Sequence, residues 1–193
     1  MTIYPFKSML SSAFVFIFYL CPLQSVHANE RSHEHGVGRI FISVEGSDVE
    51  VELVVPGADA VGFEHTASTD DDRKAVAAAI KTLREVDDII ILTPEAMCRA
   101  EEPNVHSSLM DEKKENASHS HKHNGKSEDI HEEMHAEFVA YYHFHCEKPM
   151  KLNGIKVGFF NIFPSTHELS AKWITPNGQG ATELTAKSPG LKF

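Results

Sequence analysis

The sequence is short of positive charge: 18 Lys and Arg stand against 28 Asp and Glu, a net charge of −10 over 193 residues. Binding a phosphate backbone needs clustered Lys and Arg, and no such stripe is present, so nucleic acid is excluded as a partner. Long hydrophobic runs are missing too. The longest, Met9 to Cys21, falls short of the ~20 apolar residues of a bilayer span. The three cysteines include no C-x-x-C pair. No G-x-S-x-G, P-loop or G-x-G-x-x-G occurs, which removes the usual hydrolase, phosphate-cradle and dinucleotide signatures. The length suits one core rather than a multi-domain enzyme. With 41% apolar residues and 12 Phe, it can also fill one, so wholesale disorder is excluded.

The N-terminus reads as an address. Lys7 supplies a weak positive start, Ala13 to Leu20 an apolar stretch, and Val26-His27-Ala28 a small-residue cleavage pattern. Residues 1–28 are therefore expected to be a signal peptide, leaving 29–193 as a single exported domain with no membrane span. Two cysteines then remain, Cys98 and Cys146. In an oxidising compartment an isolated pair most simply forms a disulfide; two thiolate metal ligands are the alternative.

The mature chain reads as α+β, a mostly antiparallel β-sheet domain with one main helix. Ile40, Ile42 and Val44 alternate with polar neighbours, Gly46-Ser47 turns, and Val49, Val51, Leu53 and Val55 alternate again, which predicts a hairpin with one buried face. Residues 58–65 are ambiguous between loop and short strand. Thr69 ahead of Asp70, Asp71 and Asp72 is a helix start, and Ala75, Val76, Ala79, Ile80 and Leu83 carry a helix over about 70–86. Ile89 to Leu92 predicts a short strand. From His135, Ala136, Phe138, Ala140, Tyr142, Phe144 and Cys146 form the expected inward set of a strand, which sends His143 and His145 to the opposite face. Further strands are expected at 151–160, 168–175 and 179–184, with Asn177-Gly178 turning the last two into a hairpin.

Between the helix and that strand the composition changes. Residues 101–133 are rich in Glu, Lys, Ser, Asn and His and hold almost no large apolar residues, so they read as a disordered, His-rich insertion. The whole chain has 13 His. His119, His121, His123, His131 and His135 fall in or beside the insertion, with His143 and His145 on the next strand, His33 and His35 at the mature start, and His65 after the hairpin. Neutral imidazole is a good ligand for Zn²⁺, and Cu²⁺ or Ni²⁺ bind it at least as strongly. These ten His are the candidate ligands. A flexible H-x-H-x-H run can wrap an ion at the cost of ordering entropy. His131 to His135 also matches H-E-x-x-H, the zinc-peptidase pattern, but that chemistry needs a helix where a strand pattern begins.

The assembled motifs resemble the ZrgA-type periplasmic zinc-uptake proteins of Gram-negative bacteria. The likeness is carried by His33-Glu34-His35-Gly36, Pro56 with Gly62-Phe63-Glu64-His65, Cys98-Arg99, the His-rich insertion, His135-Ala136-Glu137-Phe138 through Tyr141 to Cys146, Phe163-Pro164 and Gly178-Gln179-Gly180. The resemblance implies a non-enzymatic periplasmic protein that binds zinc and assists a zinc ABC importer or its solute-binding protein. A zinc-dependent peptidase using His131, Glu132 and His135, or an envelope interaction domain whose His are dispensable, are the competing readings.

Overall fold

The computed structural model describes residues 35–110 and 136–193. The signal peptide expected over 1–28 lies outside these residues, as does most of the expected insertion. Among the described residues no helix is long and apolar enough to cross a membrane.

Strands β1 (Val37–Glu45) and β2 (Asp48–Pro56) form the expected hairpin around Gly46, whose φ of 61° suits a glycine in the turn. Chain continues through α1 (Gly57–Val61), α2 (Asp70–Leu83), α3 (Val86–Ile89), β3 (Ile90–Leu92), β4 (Cys98–Ala100) and β5 (Asn104–Ser107). After residue 135 come β6 (Glu137–Cys146), β7 (Gly154–Val157), β8 (Glu168–Thr175), β9 (Gly178–Thr185) and β10 (Gly190–Lys192). The larger sheet runs β4-β6-β2-β1-β8-β9, with β5 also paired to β6, and a smaller antiparallel sheet runs β10-β7-β3. All pairings are antiparallel except β1 with β8.

The core lies on one face of the larger sheet. Ile40 and Ile42, Val49 and Leu53, Phe138 and Tyr142 point inward from three adjacent strands and are almost wholly buried. They join Val76 and Leu83 of α2 and Phe159 beyond β7 in one apolar cluster. Each such side chain contributes about 1.5–3 kcal/mol of burial. A one-residue slip of β6 would turn that whole row to solvent, so the register is firmly set. The same alternation puts Tyr141, His143 and His145 on the outer face, as expected.

Thr69 and Asp72 close a reciprocal capping box at the start of α2, and Asp72 is held below the usual carboxylate range chiefly by the Thr69 hydroxyl and backbone. The helix stops at Leu83 rather than 86. Glu85 leaves helical geometry, Val86 to Ile89 forms a separate turn, and the buried Tyr142 hydroxyl donates to the Leu83 carbonyl at 2.8 Å. The ambiguous stretch after Pro56 begins with helix α1.

Two expectations need correction. The insertion does not begin at 101, because residues 104–107 pair with β6 and the 3₁₀ turn Ser108–Met110 buries Leu109. That alternation of Val105, Ser107 and Leu109 is too brief to stand out from its polar surroundings. Residues 151–160 are not one strand; 3₁₀ turns at Pro149–Lys151 and Phe159–Asn161 leave only β7 between them. This strand lies in the small sheet, between β3 and β10.

Cys98 and Cys146 form a disulfide between register partners of β4 and β6. Closing a 48-residue loop is worth about 4 kcal/mol in the chain-entropy model.

Candidate metal sites at the two ends of the sheet

Strand β6 fixes the geography. It pairs along its length with β2, from Pro56↔Glu137 at one end to Asp48↔His145 at the other. At ~3.3 Å per residue, Ala136 and His145 stand about 30 Å apart along the strand. Among the described residues, the candidate ligands are divided between these two ends.

At the first end, β1 is entered through Gly36. Its N–H donates to both carboxylate oxygens of the buried Asp59, at 2.9 and 3.0 Å, and the Thr166 hydroxyl donates to the same group at 3.0 Å. Gly36 has φ +84° and lies against the His167 ring, so a side chain there would be both strained and obstructed. These bonds anchor the residue beside it, His35, whose Nδ1 is 3.6 Å from Glu64 Oε1. His65, next along, stacks on Phe63 with ring centroids 4.6 Å apart, and its Nδ1 is 3.0 Å from the Thr66 carbonyl.

Both flanks of residues 111–135 arrive at this corner. Gly57 donates its N–H to the Ala136 carbonyl at 2.6 Å, and Ala67 donates to the Leu109 carbonyl at 2.9 Å. A Cβ on Gly57 would stand against the Phe63 and Ala136 carbonyls and the Leu109 side chain. The last residues before the segment and the first after it are thus packed beside Phe63-Glu64-His65.

At the second end the hairpin turn presents Asp48. Its Oδ1 is 3.0 Å from His145 Nδ1 and 3.5 Å from His143 Nε2, while His143 Nδ1 is 3.0 Å from Glu101 Oε2. The Glu101 hydrogen bond raises the His143 pKa above its ordinary value, aided by the charges of Glu101, Asp48 and Glu50. The hydrogen bond from His145 lowers that of Asp48. Beside this cluster an open groove of about 620 Å³ runs over the outer face, past Phe41, Tyr141 and Trp173.

Sequence reasoning singled out the imidazoles but not Asp48, Glu64 or Glu101. Their only signal is charge, and their roles depend on register and on which loop meets which strand. His35 and His65 share the corner, whereas His143 and His145 lie at the far end, so no single site gathers all four. His33, His119, His121, His123, His131 and His135, together with the H-E-x-x-H segment, lie outside the described residues. Among the described residues no three His, Cys, Asp or Glu side chains already close around a common point.

A family model described as ZrgA family zinc uptake protein matches residues 32–193. The chain belongs to the ZrgA zinc uptake family. That match spans every element of the fold and includes the whole His-rich stretch. No curated protein matches the chain. Membership in the ZrgA family associates the chain with zinc uptake.

Proposed function

We propose that this protein captures Zn²⁺ in the periplasm and passes it to a zinc ABC importer or its solute-binding protein, without catalysing a reaction. Capture takes place at the corner beside His35 and Glu64. His119, His121, His123, His131 and His135 supply the main donors, with His33 and His35 adding to them. The observation that carries this reading is the meeting of Leu109 and Ala136 at Gly57, next to Phe63-Glu64-His65. A segment held at both flanks keeps its imidazoles at high effective concentration near one place on the domain.

The chemistry suits transient holding. Zinc takes four N, S or O donors, and neutral imidazoles with a carboxylate such as Glu64 make an adequate set. Fixing several side chains around one ion costs conformational entropy, which keeps affinity moderate and release possible. Protons compete for the same nitrogens, so binding weakens as pH falls through about 6.5. Cu²⁺ and Ni²⁺ fit the same donors, and supply in the compartment rather than the site selects among them. A peptidase reading is disfavoured because β6 starts at Glu137, two residues after the second His of the motif, where a zinc-peptidase helix would have to continue.

The test is calorimetry on the mature chain, compared with a form in which residues 111–135 are replaced by a short Gly/Ser linker. That boundary spares β5 and the Leu109 turn. The expected result is a clear fall in Zn²⁺ stoichiometry with the melting temperature preserved; an unchanged stoichiometry overturns capture by the segment.

A further inference from the structure

We propose that His143, His145 and Asp48, with Glu101 as a positioning residue, form a second site for a divalent transition-metal ion at the hairpin-turn end of the sheet. It rests on different residues from the corner site, and the two stand or fall separately.

The donor set is assembled by three elements. His143 and His145 lie two residues apart on the outer face of β6, and Asp48 is the register partner of His145 on β2. The third element follows β4, which the Cys98–Cys146 disulfide ties to β6; Glu101 then donates its N–H to the His143 carbonyl at 2.9 Å. Donors bonded to a tetrahedral ion at about 2.0–2.1 Å stand about 3.3 Å from one another. His145 Nδ1 and His143 Nε2 are already 3.0 and 3.5 Å from the same Asp48 oxygen. Both rings are partly exposed, so rotation of the side chains is open to them.

Glu101 gives His143 the arrangement that metal-ligating imidazoles commonly have. Its carboxylate sits 3.0 Å from Nδ1, fixes the ring, and directs Nε2 toward the ion. On binding, the proton on His143 Nε2 leaves to solvent, and the proton that His145 Nδ1 donates to Asp48 is exchanged through solvent for one on Nε2, so that Nδ1 is free to ligate. Electrostatics favour a cation, since Asp48, Glu50 and Glu101 all bear on His143. The cation across from His145 is Arg99, whose guanidinium is 2.7 Å from Glu147 and thereby neutralised. Three protein ligands leave a fourth position open, as fits an ion that is exchanged rather than stored.

The experiment uses the full mature chain, stripped of metal and titrated with Zn²⁺ alone. His143→Ala/His145→Ala should bind one ion fewer per chain, with unchanged circular dichroism because both rings are outside the core. In the unaltered protein, saturating Zn²⁺ should protect both rings from diethyl pyrocarbonate, read residue by residue by mass spectrometry. A folded double variant with full stoichiometry overturns the proposal. So do rings that are modified equally fast with and without metal, a result that also decides the matter if the variant misfolds. Replacing 111–135 leaves this protection intact if the site is independent of the corner, so failure of one reading is distinguishable from failure of the other.

Discussion

Asp48 and His145 face each other as register partners across the β2–β6 ladder, with the carboxylate oxygen 3.0 Å from the ring nitrogen. A second imidazole, His143, approaches the same oxygen and is held from its other side by Glu101. The pairing follows from register alone: one residue of slip would send both rings into the core and the core aromatics to solvent.

In the metal-free protein this arrangement has a pH signature. His143 is raised above its ordinary 6.5 by the Glu101 hydrogen bond first and the surrounding negative charge second. Its contribution to stability is complete below the unfolded-state value and is lost as pH rises through the raised one. For Asp48, lowered mainly by His145, the contribution is present above the ordinary carboxylate value and is lost as pH falls through the depressed one. Glu101→Gln should bring the His143 titration midpoint, followed by NMR of the ring protons, down toward the ordinary value. An unmoved midpoint would remove Glu101 from the account.

Gly36→Ala should loosen the corner. The backbone there has positive φ and the new methyl would meet the His167 ring, while the N–H is tied to the buried Asp59. A loss of about 1–3 kcal/mol is expected from strain of this kind, measurable by urea denaturation, together with weaker zinc binding. Full stability would mean that the corner relaxes freely.

Tyr142→Phe removes one oxygen from a side chain that is otherwise entirely core. Burial pushes its phenol far above the ordinary range, so it stays a neutral donor to the Leu83 carbonyl. Losing the bond leaves the C-terminal carbonyl of α2 buried without its partner, at a cost of about 1–3 kcal/mol. A denaturation midpoint equal to that of the unaltered protein would contradict this.

Reducing the disulfide, or Cys98→Ser/Cys146→Ser, should cost up to about 4 kcal/mol of stability. It should also free the β4 segment from β6 and so release Glu101 from His143. The same NMR titration reads this second effect as a fall in the His143 midpoint.

Local periodicity made much of the architecture legible. The β1–β2 hairpin, the inward row of β6, the β8–β9 hairpin and the capped start of α2 all declare themselves within a dozen or so residues of sequence. Of the elements of three or four residues only β3 does, through the apolar run Ile89 to Leu92; β4, β5 and β10 each hold at most two alternations and gain their stability from distant partners. The parallel pairing of β1 with β8 is likewise invisible, since nothing local records which strand will lie alongside. At the candidate sites the imidazoles stood out by number. Glu64, Glu101 and Asp48 did not, because an acidic residue in an acidic chain acquires a role only when folding places it against a ring. The division of the histidines between two ends of one sheet follows from the direction of β6, a topological fact rather than a pattern of residue types.

The most direct test of capture at the corner is a zinc-edge anomalous difference map from crystals of the mature protein grown with stoichiometric Zn²⁺. The account predicts density beside His35 and Glu64, bonded to imidazoles of residues 111–135. Zinc bound only elsewhere, with that corner empty, would contradict it.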